Sequence, residues 1–383
     1  MTKRLIVVTS LHRADDHRIY HKQILSLKGE YDITLICPKD KLPPGFKPEV
    51  KIIPIDGGEG KLSRLFFIYR ILKLLRKERN SLILFHDFEL IFAAVFLRIL
   101  ENGNEILYDM HEDYPSQILL SRKIPDAFKP SFYIFLMLSE MLLLPLFDHL
   151  FTADDFLKRK YYSIMKGKIT SVFNFPEFRR VEIKRIQKER LSLVYCGGLY
   201  FERGLYELSV LAEMLPECDI HLFGRTFTDE ENDFLKKSIA SHKNIIFHGY
   251  KPYDELLQIL PAMDFGLVLM KANKKFRRNI SVKQFDYMLS GVPVIIRKGL
   301  VSFVEDGITG YNVSSVEEAA EKIKNVGYEE IDIMRKKASE KIEKELNWKK
   351  ESMKMKESLR KIVSLKGASE CQEYRQDPQK RHR

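Results

Sequence analysis

Along the first half of the chain, short apolar runs alternate with longer segments in which apolar residues recur every three or four positions. The runs fall at residues 5–9, 33–37, 52–55, 82–86, 105–110, 150–152 and 169–173. Runs this short, rich in Val, Ile and Leu, predict buried strands, whereas the longer periodic segments predict helices. Strands alternating with helices predict parallel pairing and a doubly wound sheet. The pattern breaks at Asn174-Phe175-Pro176-Glu177, and residues 178–190 are rich in Arg and Lys, which predicts a linker. It then resumes, with strands expected at 191–196, 219–224, 245–250, 262–269 and from Pro293 onward. The expected class is α/β, with domains over 1–174 and 175–346, a helix over 347–366 returning to the first domain, and a disordered basic tail over 367–383.

In doubly wound sheets ligands bind beyond the carboxyl ends of the strands, so the polar residues that follow the apolar runs are the ones to inspect. The richest stretch is 279–296. Polar Asn279 and Ser281 precede a helical pattern through Lys283, Phe285, Asp286, Tyr287 and Leu289, and Gly291 ends it before the apolar run. The unpaired N–H groups and positive dipole end of a helix start hold an anion such as a diphosphate. Lys283 adds a point charge, and Asp286, one turn in, can accept from a sugar hydroxyl. Together these outline a nucleotide-sugar site; the bland alternative is an amphipathic helix leading into a core strand. Upstream, Gly197-Gly198 follows a strand and is followed by Arg203-Gly204, a turn in which backbone can approach a phosphate while a cation neutralises it.

The motif K-x-F-[E/D]-Y-M-x-x-G-x-P-V-I at Lys283–Ile295 resembles the donor-site helix of family-4 (group 1) glycosyltransferases. That resemblance implies the GT-B fold, two Rossmann-like domains facing a cleft. Members usually carry two glutamates eight positions apart; here Asp286 takes the second place, where the ribose is held, and Arg278 the first, where the hexose is held. Of the two cations that hold the diphosphate in many members, only Arg203 remains, with Gly198 in the other place. The strand ends at Gly224 and Tyr250 border the donor cleft in the family's geometry, Tyr250 near the base.

In the first half, Ser10, His12, Asp16, Arg18, Ile19 and Lys22 match a subgroup pattern, which implies an acceptor-side anion contact through His12, Arg18 and Lys22; a solvated helix start is the alternative. His86-Asp87 and the octet Tyr108–Pro115 match H-D-x-E-L and Y-D-x-H-E-D-Y-P of the same subgroup, placing His86 and Asp87 on the acceptor side. In relatives the histidine after this strand lies close to the reacting sugar. His111 is therefore the expected catalytic residue, with Glu112 fixing its tautomer. The implied activity is transfer of a hexose from a nucleoside-diphosphate sugar to a glycan or lipid-linked acceptor in surface polysaccharide assembly, with retention. A non-catalytic partner or glycan-binding subunit, and a nucleotide-sugar epimerase, remain as alternatives.

Composition narrows the setting. A chain of 383 residues, 45% hydrophobic, is long enough for two cored domains. Its four cysteines form no C-x-x-C pair, which points to a reducing cytoplasm and away from a zinc site. There is no D-x-D triplet, so no essential metal and no cofactor beyond the donor substrate are expected. The first apolar run is too short for a secretory signal. A net charge of +11 implies an anionic partner. No aromatic-basic module supports nucleic acid, whereas the basic amphipathic segment 62–77 suits either an anionic membrane surface or packing on the first sheet. The apolar segment 132–147, which contains Ser139, Glu140 and Pro145, is expected as a buried or interfacial helix, not a transmembrane one.

Overall fold

The computed structural model describes residues 3–56, 63–100, 103–120, 124–179, 189–273, 276–278 and 280–376. The chain forms two compact units, Met1–Asn174 with Lys349–Arg383, and Phe175–Trp348.

The sheet of the first unit contains β1 Arg4–Val8, β2 Asp32–Pro38, β3 Lys51–Ile55, β4 Leu82–Phe85, β5 Glu105–Met110, β6 His149–Thr152 and β7 Ile169–Ser171. Their order is β3-β2-β1-β4-β5-β6-β7, and all are parallel, with Val8 opposite Phe85 and Phe85 opposite Tyr108. Helices covering the sheet explain why the strands read as continuous apolar runs and not as alternating ones. On one face Phe67, Ile71 and Leu75 of the helix Ser63–Leu75 and Ile91 and Ala94 of the helix Ile91–Ile99 pack with Phe85 and Tyr108. The strand order reverses between β1 and β4, so Thr9 and His86 emerge at the switch point where such sheets bind ligands.

The C-terminal helix Trp348–Gln376 is fixed to this unit: Phe173 N donates to Glu351 Oε2 (2.9 Å), Thr170 and Ser358 hydroxyls pair at 2.9 Å, and Lys356 and Arg360 pair with Glu30. The expected disordered tail is corrected here, because the helix continues through Gln376. The stretch has no proline before Pro378 and is rich in residues of good helix propensity, so nothing local stops the helix. Residues 377–383 lie outside the described residues, as does most of the expected linker, 180–188. Segment 132–147, expected as a buried or interfacial helix, forms the helix Lys129–Leu143, whose buried positions are Ser139 and Glu140, so it is not a core helix. The stretch Asp126–Leu146 is long and apolar enough to cross a membrane, and only 17% of its most apolar window is buried.

The second unit holds β8 Ser192–Cys196, β9 Asp219–Phe223, β10 Ile245–Gly249, β11 Phe265–Val268, β12 Val294–Arg297 and β13 Gly310–Val313, ordered β10-β9-β8-β11-β12-β13 and all parallel. Its core joins Leu193, Ile220, Leu222, Phe265 and Ile295 to the helix Leu205–Met214. Strand β13 lies outside the runs that the apolar pattern predicts as strands. Gly310, at φ +143°, starts that strand where a Cβ would lie 2.0 Å from the Val294 carbonyl oxygen.

Candidate functional site

Each sheet carries a polar cluster at its carboxyl edge. In the second unit the cluster is built on the turn after β8. Gly197 (φ +132°) and Gly224 (φ +151°) pass so closely that a Cβ on Gly224 would stand 1.8 Å from the Gly197 carbonyl oxygen. Backbone bonds hold the strand ends in place: Gly197 N donates to Phe223 O (2.8 Å) and Gly224 N to Gly249 O (2.8 Å). Under the turn lies Lys283, the first residue of the helix Lys283–Leu289. A Cβ on Gly197 would meet its Cε at 2.6 Å, so the glycine is what lets the lysine approach.

Lys283 Nζ donates to the Tyr195 hydroxyl (3.0 Å), which donates to the Gly198 carbonyl (2.7 Å). The ammonium also lies 4.2 Å from the Tyr195 ring centroid. Burial, with Arg203 nearby, lowers Lys283 to about 7. Its neighbours supply few carboxylates, so an arriving anion would find a cation that its site under-compensates. Above the turn opens a cavity of about 290 Å³ lined by Gly197, Gly198, Tyr200, Arg203, Arg225 and Tyr250 among others. The Arg203 guanidinium lies 5.1 Å from the Tyr200 ring, and that of Arg225 lies 5.5 Å from Tyr250 and 5.6 Å from Phe227. Aromatic faces and cations around a small cavity suit a planar ring attached to phosphates. Half-buried Asp286 accepts from the Tyr253 hydroxyl (2.9 Å).

The sequence-predicted residues Gly198, Arg203, Gly224 and Tyr250 thus share one cavity, and Lys283 lies directly beneath it at Gly197. Ser281 is corrected: it does not cap the helix, whose N-cap is Val282 with no side-chain bond. The Ser281 carbonyl accepts from the backbone and side-chain amides of Gln284 (3.4 and 3.0 Å), whose Oε1 accepts from Phe303 N (2.8 Å). Asn279 lies outside the described residues. Tyr195 and Phe227 were not singled out from sequence, and Tyr287 was read only as part of the helical pattern. Tyr287 accepts from Cys196 N (2.8 Å) and lies where a Cβ on Gly266 would be 2.3 Å from its ring, so it wedges the helix against β8 and β11.

In the first unit the centre is Asp109, fully buried in β5. Arg18 grips it at both oxygens (Nε to Oδ2 3.1 Å, Nη2 to Oδ1 2.8 Å), Gln23 Nε2 donates to Oδ2 (2.7 Å), and His111 Nε2 lies 3.0 Å from the same oxygen. His86 Nδ1 stands 3.2 Å from His111 Nε2. Asp109 is held well below the usual carboxylate range by Arg18 and His111 in spite of burial. His111 is lowered because burial outweighs Asp109, so its imidazole is neutral at pH 7. The carboxylate assigns the ring proton to Nε2 and leaves Nδ1 as the basic nitrogen. Of the three ring and carboxylate groups only His111 reaches the surface, its side chain 14% exposed against 0% for His86 and Asp109.

These bonds correct several expectations. Asp109, not the exposed Glu112, orients His111. Arg18 and Lys22 are buried and turned inward: Arg18 also donates to Val172 O (3.0 Å), and Lys22 Nζ donates to Asn174 Oδ1 (2.6 Å). Asp87 is buried and accepts from Thr9 Oγ1 (2.7 Å) and Ser10 N (2.6 Å), so it fastens the loop after β1 and is not presented to an acceptor. His86 is buried behind His111. His12 stays partly exposed between Asp16 (3.3 Å) and Asp87 (3.4 Å), and the Asp16 carboxylate raises it against burial. Asp16 caps the π-helical segment His17–Ile24 by accepting from Arg18 N and Ile19 N, both at 2.9 Å. His86, Asp109 and His111 offer ligand atoms within 4.8 Å of one another. Arg18 already neutralises that carboxylate, which disfavours a second cation there.

Residues 199–350 match the family model for the glucosyltransferase 3-like C-terminal domain. Glucosyltransferase 3 of Streptococcus parasanguinis is 33% identical over 148 residues, covering 33% of this chain and 44% of that protein, so the match spans less than half of the relative's length. Among solved structures, the sucrose-phosphate synthase of Thermosynechococcus elongatus superposes with a TM-score of 0.69 at 14% identity, covering 95% of this chain and 100% of the other. Anabaena HepE in complex with UDP-glucose superposes with a TM-score of 0.66 at 12% identity, covering 94% and 99%. The chain has the fold of these proteins, GT-B, and its second unit is similar to the glucosyltransferase 3-like C-terminal domain.

Proposed function

We propose that the chain is a glycosyltransferase that moves a hexose from a nucleoside-diphosphate sugar to a glycan or lipid-linked acceptor, with retention at the anomeric carbon, in surface polysaccharide assembly. The observation that carries this reading is the half-buried Lys283 held under the Gly197-Gly198 turn beside Arg203 and the cavity. When the bond from the sugar to the diphosphate breaks, negative charge grows on the leaving oxygens. Preorganised cations next to open backbone stabilise that charge more than they stabilise the bound donor. In this reading Arg203 and Lys283 take the diphosphate, the aromatic wall takes the base, and Asp286 takes the ribose. His111, neutral and oriented by Asp109 through Nε2, accepts from the acceptor hydroxyl at Nδ1 and so orients it. No metal or other cofactor is part of the proposal.

The UDP-glucose complex of HepE and the name of the streptococcal relative make UDP-glucose the first donor to try. The test is thermal stabilisation by a panel of nucleotide sugars, followed by turnover of the one that binds; a donor at a hundred times its Kd raises stability by about 2.7 kcal/mol. No stabilisation by any of them would overturn the proposal. Arg278, where relatives carry an acid, favours a second reading, a non-catalytic module. Binding without hydrolysis or transfer would establish that reading in place of the first.

A further inference from the structure

We propose that one face of the first unit docks on a bilayer containing anionic lipid. The helix Lys129–Leu143 is amphipathic in the wrong sense for a surface helix in water. Its buried positions are Ser139 and Glu140, and the Glu140 carboxylate accepts from the Tyr161 hydroxyl in the core. Its outward positions, Phe132, Phe135, Leu138 and Leu142, are 46–72% exposed and recur every three or four residues, so they form one stripe. The neighbouring helix Ile91–Ile99 carries a second stripe, Phe92, Phe96 and Ile99. Next to it, the helix Ser63–Leu75 exposes Leu65, Phe66 and Tyr69. Three adjacent helices thus turn large apolar side chains outward, the kind of patch that marks an interaction surface.

Two further observations choose the occupant. The stretch Asp126–Leu146 has the apolar length of a membrane span, yet the Glu140–Tyr161 bond and packing on its neighbours hold its helix on the unit. That permits one face to enter a bilayer surface without crossing it. Beside the apolar positions of Ser63–Leu75 stand exposed Arg70, Lys73, Arg76 and Lys77, and no acidic residue occurs between Ser63 and Lys77. Basic side chains next to an apolar stripe suit anionic headgroups over acyl chains. A second copy of the same face would offer this basic edge no acidic counterpart.

The full chain should cosediment with vesicles of phosphatidylcholine and phosphatidylglycerol at least about tenfold more than with phosphatidylcholine alone, and less so as salt rises. A Phe132→Ser, Phe135→Ser, Leu142→Ser triple variant should lower that binding about tenfold or more, and so should a Lys73→Gln, Arg76→Gln, Lys77→Gln triple variant. If the apolar variant fails to fold, the charge variant carries the test. The proposal is overturned if the wild type stays in the supernatant with both vesicle types. It is also overturned if neither variant changes binding, or if the chain is a dimer that ignores vesicles and that the apolar variant separates into monomers. Nucleotide-sugar binding is measured separately and plays no part in these outcomes.

Discussion

The two polar clusters both lie past the carboxyl ends of their strands, after β1, β4 and β5 in one sheet and after β8 and β9 in the other, yet they are built on opposite principles. In the first unit nearly every charge faces a partner: Arg18 with Asp109, Lys22 with Asn174, Asp87 with the loop after β1. That network spends its polar groups on one another, and of the groups around Asp109 it lets His111 reach the surface. In the second unit glycines remove side chains, a cavity remains, and the cations beside it rest on tyrosine rings and hydroxyls. The contrast teaches that orienting one neutral group calls for a closed network, whereas receiving a polyanion calls for cations whose neighbours leave them under-compensated.

The strongest way to break this comparison is to open the closed network. Asp109→Ala leaves the Arg18 guanidinium buried without its carboxylate and should destabilise the protein by about 3–5 kcal/mol in denaturant unfolding. A loss under about 1 kcal/mol would mean that the network is not closed. In the other cluster, Gly224→Ala puts a methyl group into the Gly197 carbonyl at a φ of +151°, which should cost about 1–3 kcal/mol and abolish donor binding in calorimetry. Unaltered binding would show that the turn is not part of the site.

The pH dependence sharpens the contrast. Lys283 sits near 7 in the folded chain and at the ordinary lysine value once unfolded, so between those values the unfolded state binds more protons. Stability should therefore rise with pH from about 7 toward about 10, and Lys283→Met should flatten that rise in thermal scans. His12 behaves in the opposite sense. Its folded value is raised by Asp16, so its contribution is complete below the ordinary imidazole value and is lost as pH rises through the raised one. Being part-exposed it is worth at most about 1 kcal/mol, and His12→Ala should remove this small acid-side stabilisation and little else.

The strands were legible in the sequence because parallel sheets covered on both faces read as plain runs of Val, Ile and Leu, and twelve of the thirteen among the described residues lie where such runs predict them. β13 escaped because Gly310-Tyr311-Asn312-Val313 is short and begins at a turn glycine. Motif matching pointed to His111, Arg203 and Lys283, and it covered Arg18 and Asp109, but not the contacts that hold these groups. Arg18 reaches Asp109 across 91 positions and Lys283 reaches Tyr195 across 88, separations that no local pattern encodes. Ser281 misled because a polar residue before a helix reads as a cap, whereas this helix has Val282 at its N-cap with no side-chain bond. For the helix Lys129–Leu143 the sequence left two faces open, because apolar periodicity fixes a stripe without saying whether it faces the core or the solvent.

The central claim is that Lys283 belongs to an anion site, and calorimetric titration of UDP-glucose into the wild type and Lys283→Ala tests it most directly. The wild type should take up a proton on binding, with affinity falling as pH rises through about 7, and the variant should bind about a hundredfold more weakly with no such uptake. Equal affinity of the two proteins across that pH range would contradict the account.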